Sequence, residues 1–170
     1  MRDPEVQALL DKQAIYEVLM KYCRGIDRID EELLRSVYHP DAWDDHGSFK
    51  GPASEYVTYI VASLRAGADA GCNNFHSVSN VLIELDGDVA HTETYITSWH
   101  PALKDGKNNN WIFAGRYVDR FERRNGAWKI AHRMTVCDWE YVAPPAETKM
   151  FEQNPFTRGH RSREDAVYRR

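Results

Sequence analysis

Cysteine is scarce in this chain. Three occur in 170 residues, Cys23, Cys72 and Cys137, odd in number and far apart, with no C-x-x-C pair. That spacing excludes a disulfide framework and a zinc knuckle, and leaves all three to be read as small buried apolar side chains. Long apolar runs are absent too. No window approaches the roughly 18 residues of a membrane span, and "MRDPEVQALLDKQ" lacks the apolar stretch of a signal peptide. A cytoplasmic protein with no membrane contact is expected. Neither sign of charge dominates, the net being −4, so nucleic acid and anionic lipid are not expected as partners. A small neutral molecule or another protein fits better. A glycine-rich phosphate loop, a G-x-S-x-G elbow and a dinucleotide fingerprint are also missing, so an enzyme built on this chain is expected to work without a nucleotide cofactor.

The residues present follow two successive periods, within a length suited to one domain with a substantial core. Val6, Leu9, Leu10, Ala14, Val18, Leu19 and Tyr22 recur at helical spacing behind Asp3 as cap and Pro4, predicting a helix that ends near Gly25. A short second helix fits residues 30–39, capped by Asp30 and stopped by Pro40. "DAWDDHGSFKG" reads as extended, and residues 52–67 as a third helix between a proline and a glycine. The period then changes to two. "NFHSVSNVLIEL", "VAHTETYITSWHPAL", "WIFAGRYVDRFERR" and, after the tight turn "RNGA", "WKIAHRMTVCDWEYV" predict an antiparallel meander. Strands of about 12 residues must bend strongly to stay compact. The expected fold is α+β: over residues 1–142, a cone-shaped barrel in which three N-terminal helices pack inside a strongly curved antiparallel sheet. Residues 143–170 are expected as an extended tail over the surface or onto a neighbour.

Inside such a cone, Asp27 of "CRGIDRID" and His76 of "NNFHSVSN" can meet. An aspartate that accepts from one ring nitrogen fixes the tautomer and leaves the other nitrogen to take a proton. The alternative makes Asp27 a turn residue and His76 a hydrogen-bonded core histidine. Ser77, Ser79 and Asn80 would leave room beside a base. "HPDAWDDHG" gathers His39, Asp41, Asp44, Asp45 and His46, but strand alternation sends neighbours to opposite faces, so no metal site is expected and His46 reads as a polar contact at the pocket mouth. Arg133 either points into the cone, where an anionic substrate or leaving group would meet it, or is an exposed sheet arginine. Arg116, Arg120, Arg123 and Arg124 read as a solvated face. Most of Trp99, Trp111, Phe113, Tyr117, Phe121, Trp128, Trp139 and Tyr141 are expected in the core. A cone lined partly by rings such as Trp111 and Phe113, with Tyr22, His100 or Tyr117 as polar handles, suits a flat apolar or aromatic ligand.

The order of "GIDRID", "VYHPDAWDDHGSFKG", "FHSVSN" and "RYVDRFERRNGAWKIAHR" resembles the SnoaL-like branch of the nuclear transport factor two-like superfamily, over about residues 5–142. The last stretch is the most specific. Within that branch the chain is similar to hexachlorocyclohexane dehydrochlorinase, to scytalone dehydratase and to cofactor-free lyases that deformylate lignin-derived diaryl compounds. The resemblance implies a cofactor-free lyase in which Asp27 holds His76, the base, while Arg133 stabilises developing charge. His100 falls close to the second pocket histidine of the dehydratase. Tyr22 stands where the dehydrochlorinase has a lysine for the leaving halide, which favours an oxygen-centred leaving group or a phenol. The implied chemistry is dehydration, or retro-aldol-like loss of formaldehyde, on a small hydrophobic, aromatic substrate. Ketosteroid isomerases and small subunits of ring-hydroxylating dioxygenases share the superfamily, so a proton shuttle and a non-catalytic role stay open. A homodimer or homotrimer is implied, and long exposed strand edges suggest the same.

Overall fold

A computed structural model describes residues 3–68, 74–104, 107–144 and 156–169; Cys72 lies outside them. Helix α1 (Pro4–Arg28) starts at Asp3, whose side chain accepts the Glu5 N–H at 2.8 Å and so satisfies a donor the helix cannot. It runs past Gly25. That glycine is no stop signal: a Cβ there would lie 2.7 Å from Leu34 Cγ, so its bareness lets α2 (Glu31–Ser36) close against α1. The helix ends at Ile29, left-handed with φ 53°. Asp27 therefore sits in the last helical turn rather than after it.

Helix α2 is capped by Asp30, which accepts the Leu33 N–H at 3.1 Å. It stops at Ser36, short of the predicted 39, because the next residues are claimed by the sheet. Strand β1 (Tyr38–Asp45) runs parallel to the last strand, and Val37 O accepts the Ile130 N–H at 2.9 Å. Pro40 does not end a helix. It occupies the register shift between Tyr38 and Trp43, where the ladder asks no N–H of it.

The remaining elements are β2 (Lys50–Pro52), α3 (Ala53–Ala68), β3 (Phe75–Asp86), β4 (Val89–Lys104), β5 (Lys107–Arg124) and β6 (Ala127–Ala143). Strands β3 to β6 form the predicted antiparallel meander, and β1 extends it in parallel, giving the order β2-β1-β6-β5-β4-β3. The sheet is curved and unclosed, with register shifts at Ser79/Leu82, Ala114/Gly115 and Arg120/Phe121 that bend its long strands. At Gly115 an added Cβ would overlap the Val136 carbonyl oxygen. The helices fill the concave side, where Ile15, Leu19, Leu34, Val57, Phe121 and Ile130 form the centre of the core.

Several side chains depart from expectation. Arg123 is not merely solvated: it donates to both oxygens of buried Asp11 and lies over the Trp128 ring, whose indole N–H donates to the same carboxylate at 2.9 Å. Trp139 and Tyr141 are exposed, as is Cys137, in a stretch of β6 where residues 137–141 are all exposed. Cys23 is buried. Ser77 and Ser79 point to the outer face, opposite His76 in the alternation of β3, so they leave no room beside it.

Residues 156–169 return to the junction of α1 and α2. Tyr168, in a short 3-10 turn, donates to Asp30 Oδ2 at 2.8 Å, and Arg163 bridges Asp30 (3.1 Å) and Glu32 (2.9 Å). Among the described residues no helix is long and apolar enough to cross a membrane.

Candidate active site

A cavity of about 400 Å³ opens between α1, α3 and the concave sheet face. On one wall α1 delivers Asp27 to the start of β3. His76 Nδ1 lies 2.6 Å from Asp27 Oδ1, and the backbone N–H of His76 donates to Oδ2 at 3.1 Å. The carboxylate thus holds the ring and the strand that carries it, with both side chains nearly buried. This fixes Nδ1 as the hydrogen-bonded nitrogen and leaves Nε2 for the cavity.

His100 stands edge-on to His76 with ring centroids 5.1 Å apart, its Nε2 2.9 Å from Ser98 Oγ. Burial, reinforced by electrostatic interaction with His76, Arg161 and His46, pushes its pKa down to about 3. It is a neutral hydrogen-bonding group at ordinary pH. Trp111 lies tilted at 5.2 Å from His100, and Phe113 follows at 6.0 Å from Trp111, so these rings line the cavity as the sequence suggested.

The opposite wall carries Tyr22, Tyr56, Tyr117 and His46. Tyr22 and Tyr56 share a hydrogen bond of 2.9 Å. Burial raises the pKa of all three tyrosines, so they remain protonated and serve as donors. Tyr56 was missed in the sequence, where it looks like one more member of the apolar stripe of α3. Arg161 and Asn74 were missed as well, yet both line the cavity.

Arg133 is fully buried, and it does not line the cavity. Its anionic partner is Asp119, directly opposite on β5, bonded through Nε at 2.8 Å and Nη2 at 2.7 Å. The expected meeting with an anionic substrate is corrected accordingly: the protein supplies the anion. The guanidinium is sandwiched between the rings of Tyr22 (4.1 Å) and Tyr117 (4.0 Å), so its charge reaches the cavity only through them.

The His39–His46 cluster disperses. His39 Nε2 bonds Glu122 O at 2.9 Å, Asp41 pairs with Arg124, and Asp45 with Lys50. Only Asp44 and His46 stay together, at 2.9 Å, and no group of three metal-ligating side chains converges among the described residues.

The fold recurs in solved structures. The hexachlorocyclohexane dehydrochlorinase of Novosphingobium barchaimii is 20% identical with a TM-score of 0.71, covering 85% of this chain and 96% of its own. A provisionally named scytalone dehydratase of Novosphingobium aromaticivorans is 18% identical with a TM-score of 0.68, covering 83% and 96%. A protein of Kribbella flavida is 21% identical with a TM-score of 0.66, covering 79% and 95%. No curated protein matches. The pattern of the SnoaL-like domain matches residues 7–134, more than half of the chain, and with the cone-like α+β fold it shows that this protein belongs to the SnoaL-like family.

Proposed function

We propose that this protein is a cofactor-independent lyase acting on a small, hydrophobic aromatic alcohol. The observation that carries the proposal is the Asp27–His76 pair on the wall of a ring-lined cavity. His76 Nε2 takes a proton from carbon or from a hydroxyl, and Asp27 stabilises the imidazolium. Tyr22 donates to the oxygen that gains charge, and Arg133, behind the Tyr22 ring, favours negative charge there. A carbon proton leads to dehydration; a hydroxyl proton leads to loss of formaldehyde. Trp111 and Phe113 supply flat surfaces for an aryl group.

An isomerase that shuttles a proton on a carboxylate fits less well, because both Asp27 oxygens are already engaged by His76. The test uses two substrate sets, β-hydroxy aryl ketones and 1,2-diaryl-1,3-propanediols, followed by enone absorbance and by formaldehyde release. Wild type is expected to turn over a member of one set, and His76→Gln to lose about 10² to 10⁴ in kcat. Full turnover in His76→Gln would sink the mechanism.

A further inference from the structure

A second histidine–carboxylate pair faces the same cavity from the opposite wall. His46 Nδ1 lies 2.9 Å from Asp44 Oδ1, while Asp44, fully buried, accepts the Tyr38 O–H on its other oxygen at 2.6 Å. This is the support that orients an imidazole for proton transfer, a carboxylate on one nitrogen that is itself held by a further donor. The other nitrogen leads somewhere. His46 Nε2 is 3.3 Å from Tyr56 Oη, the two rings stack at 4.6 Å, and Tyr56 Oη is 2.9 Å from Tyr22 Oη. Asp44, His46, Tyr56 and Tyr22 form one unbroken chain of hydrogen bonds that ends at the cavity. A structural polar contact would not need such a line of exchangeable protons.

We propose that His46, oriented by Asp44, is a second proton-transfer residue that acts through Tyr56 and Tyr22 on the oxygen departing from the substrate. The inference rests on the lyase reading and assigns the acid that the reading lacks. In the starting state His46 carries protons on both nitrogens. Nδ1–H donates to Asp44 and Nε2–H to Tyr56, Tyr56 donates to Tyr22, and the Tyr22 proton faces the cavity. In a dehydration, His76 Nε2 removes the carbon-bound proton, and the C–H electron pair becomes the second bond of the alkene. The C–O pair leaves with oxygen, which takes the Tyr22 proton and departs as water. Tyr22 is refilled from Tyr56, and Tyr56 from His46 Nε2. The cycle ends with His76 protonated and His46 neutral, and exchange with solvent resets both. The phenols transfer protons without ionising, in keeping with their burial.

Two histidines with opposite tasks occupy one cavity because their outlets differ. His76 meets the substrate directly, whereas His46 reaches it through two phenols. Tyr22 and His76 touch the reacting atoms; His46 and Tyr56 act through Tyr22 and are positioning and relay residues.

The test compares two leaving groups. Tyr56→Phe, which keeps the ring stacked on His46, and His46→Gln are assayed on the alcohol that wild type dehydrates and on the same molecule with chloride replacing the departing hydroxyl. The relay predicts that kcat on the alcohol falls about 10²-fold or more with KM within about threefold, while turnover of the chloride, which needs no proton, stays within about threefold of wild type. Equal losses on both leaving groups, or none on the alcohol, would overturn the relay. So would wild-type release of formaldehyde without loss of a hydroxyl. His76→Gln is expected to be inactive on both molecules. If instead it stays active, or wild type turns over no alcohol, the lyase reading itself fails.

Discussion

At the residue scale, Arg133 shows how a charge can be buried in an apolar sheet. Its guanidinium forms a two-pronged pair with Asp119 and lies flat between two phenol rings, with no exposure to solvent. Burial raises the Asp119 carboxyl and the arginine opposes that shift. Removing one member leaves the other charge uncompensated in a low-dielectric core. Arg133→Met is therefore expected to lower stability by about 3–5 kcal/mol, read by urea denaturation, and the double variant Arg133→Met with Asp119→Leu to recover a substantial part. Recovery in the double variant separates the cost of a lone carboxylate from loss of packing. The pair was only half legible. The "NG" turn at Asn125–Gly126 signals that β5 faces β6, but counting outward from it sets Val118 opposite Arg133; the register shift at Arg120/Phe121 brings Asp119 there instead. Tyr56 carried no such signal, because a phenol in a helical apolar stripe is indistinguishable from core until its hydroxyl is seen to have partners.

At the element scale, caps and periods were readable because they are local. Asp3, Asp30 and the alternating strands act within a few residues of themselves. Strand β1 was readable only from Asp41, as an extended segment; its start and its pairing were not, since its partner β6 lies far along the chain and "HPDA" imitates a turn. The dyad lay between these cases: its members were visible, but their meeting depends on where α1 ends against β3. Bends are the other element-scale feature. Gly115 sits at the shift between β5 and β6, where the Val136 carbonyl approaches too closely for any side chain. A backbone oxygen cannot swing aside as a side chain can. Gly115→Ala is expected to cost at least about 2 kcal/mol in thermal or urea unfolding, in contrast to Gly67→Ala, where nothing lies within 4 Å and the change should be nearly neutral or stabilising.

At the scale of the whole molecule, buried histidine makes stability depend on pH. His100 in the folded protein has its pKa pushed down to about 3, against an ordinary value of about 6.5 in the unfolded chain. Below about pH 6.5 the unfolded state binds a proton that the folded state refuses, so stability is full above that point and declines as pH falls toward 3. His39, also lowered by burial, acts in the same direction. Carboxylates held low in the fold, such as Asp165 by the His160 and Val167 N–H groups, add their losses only at more acid pH. Between pH 7.5 and 5 the His100 contribution amounts to about 2 kcal/mol, measurable as a lower urea midpoint. His100→Gln should flatten the curve over that range.

The parallel seam between β1 and β6 has a consequence for assembly in time. The segment that carries Asp44 and His46 is translated early, but β6, its neighbour on the edge away from β2, emerges only as the last strand of the meander. Until then β1 presents an unpaired backbone edge, and the core that buries Tyr22 and Tyr38 has no far wall. Closing so distant a contact is slow and leaves a sticky intermediate behind. Ribosomes paused before β6 should therefore display a chain whose helices are formed while the cavity wall that carries Asp44 and His46 is not yet held in place.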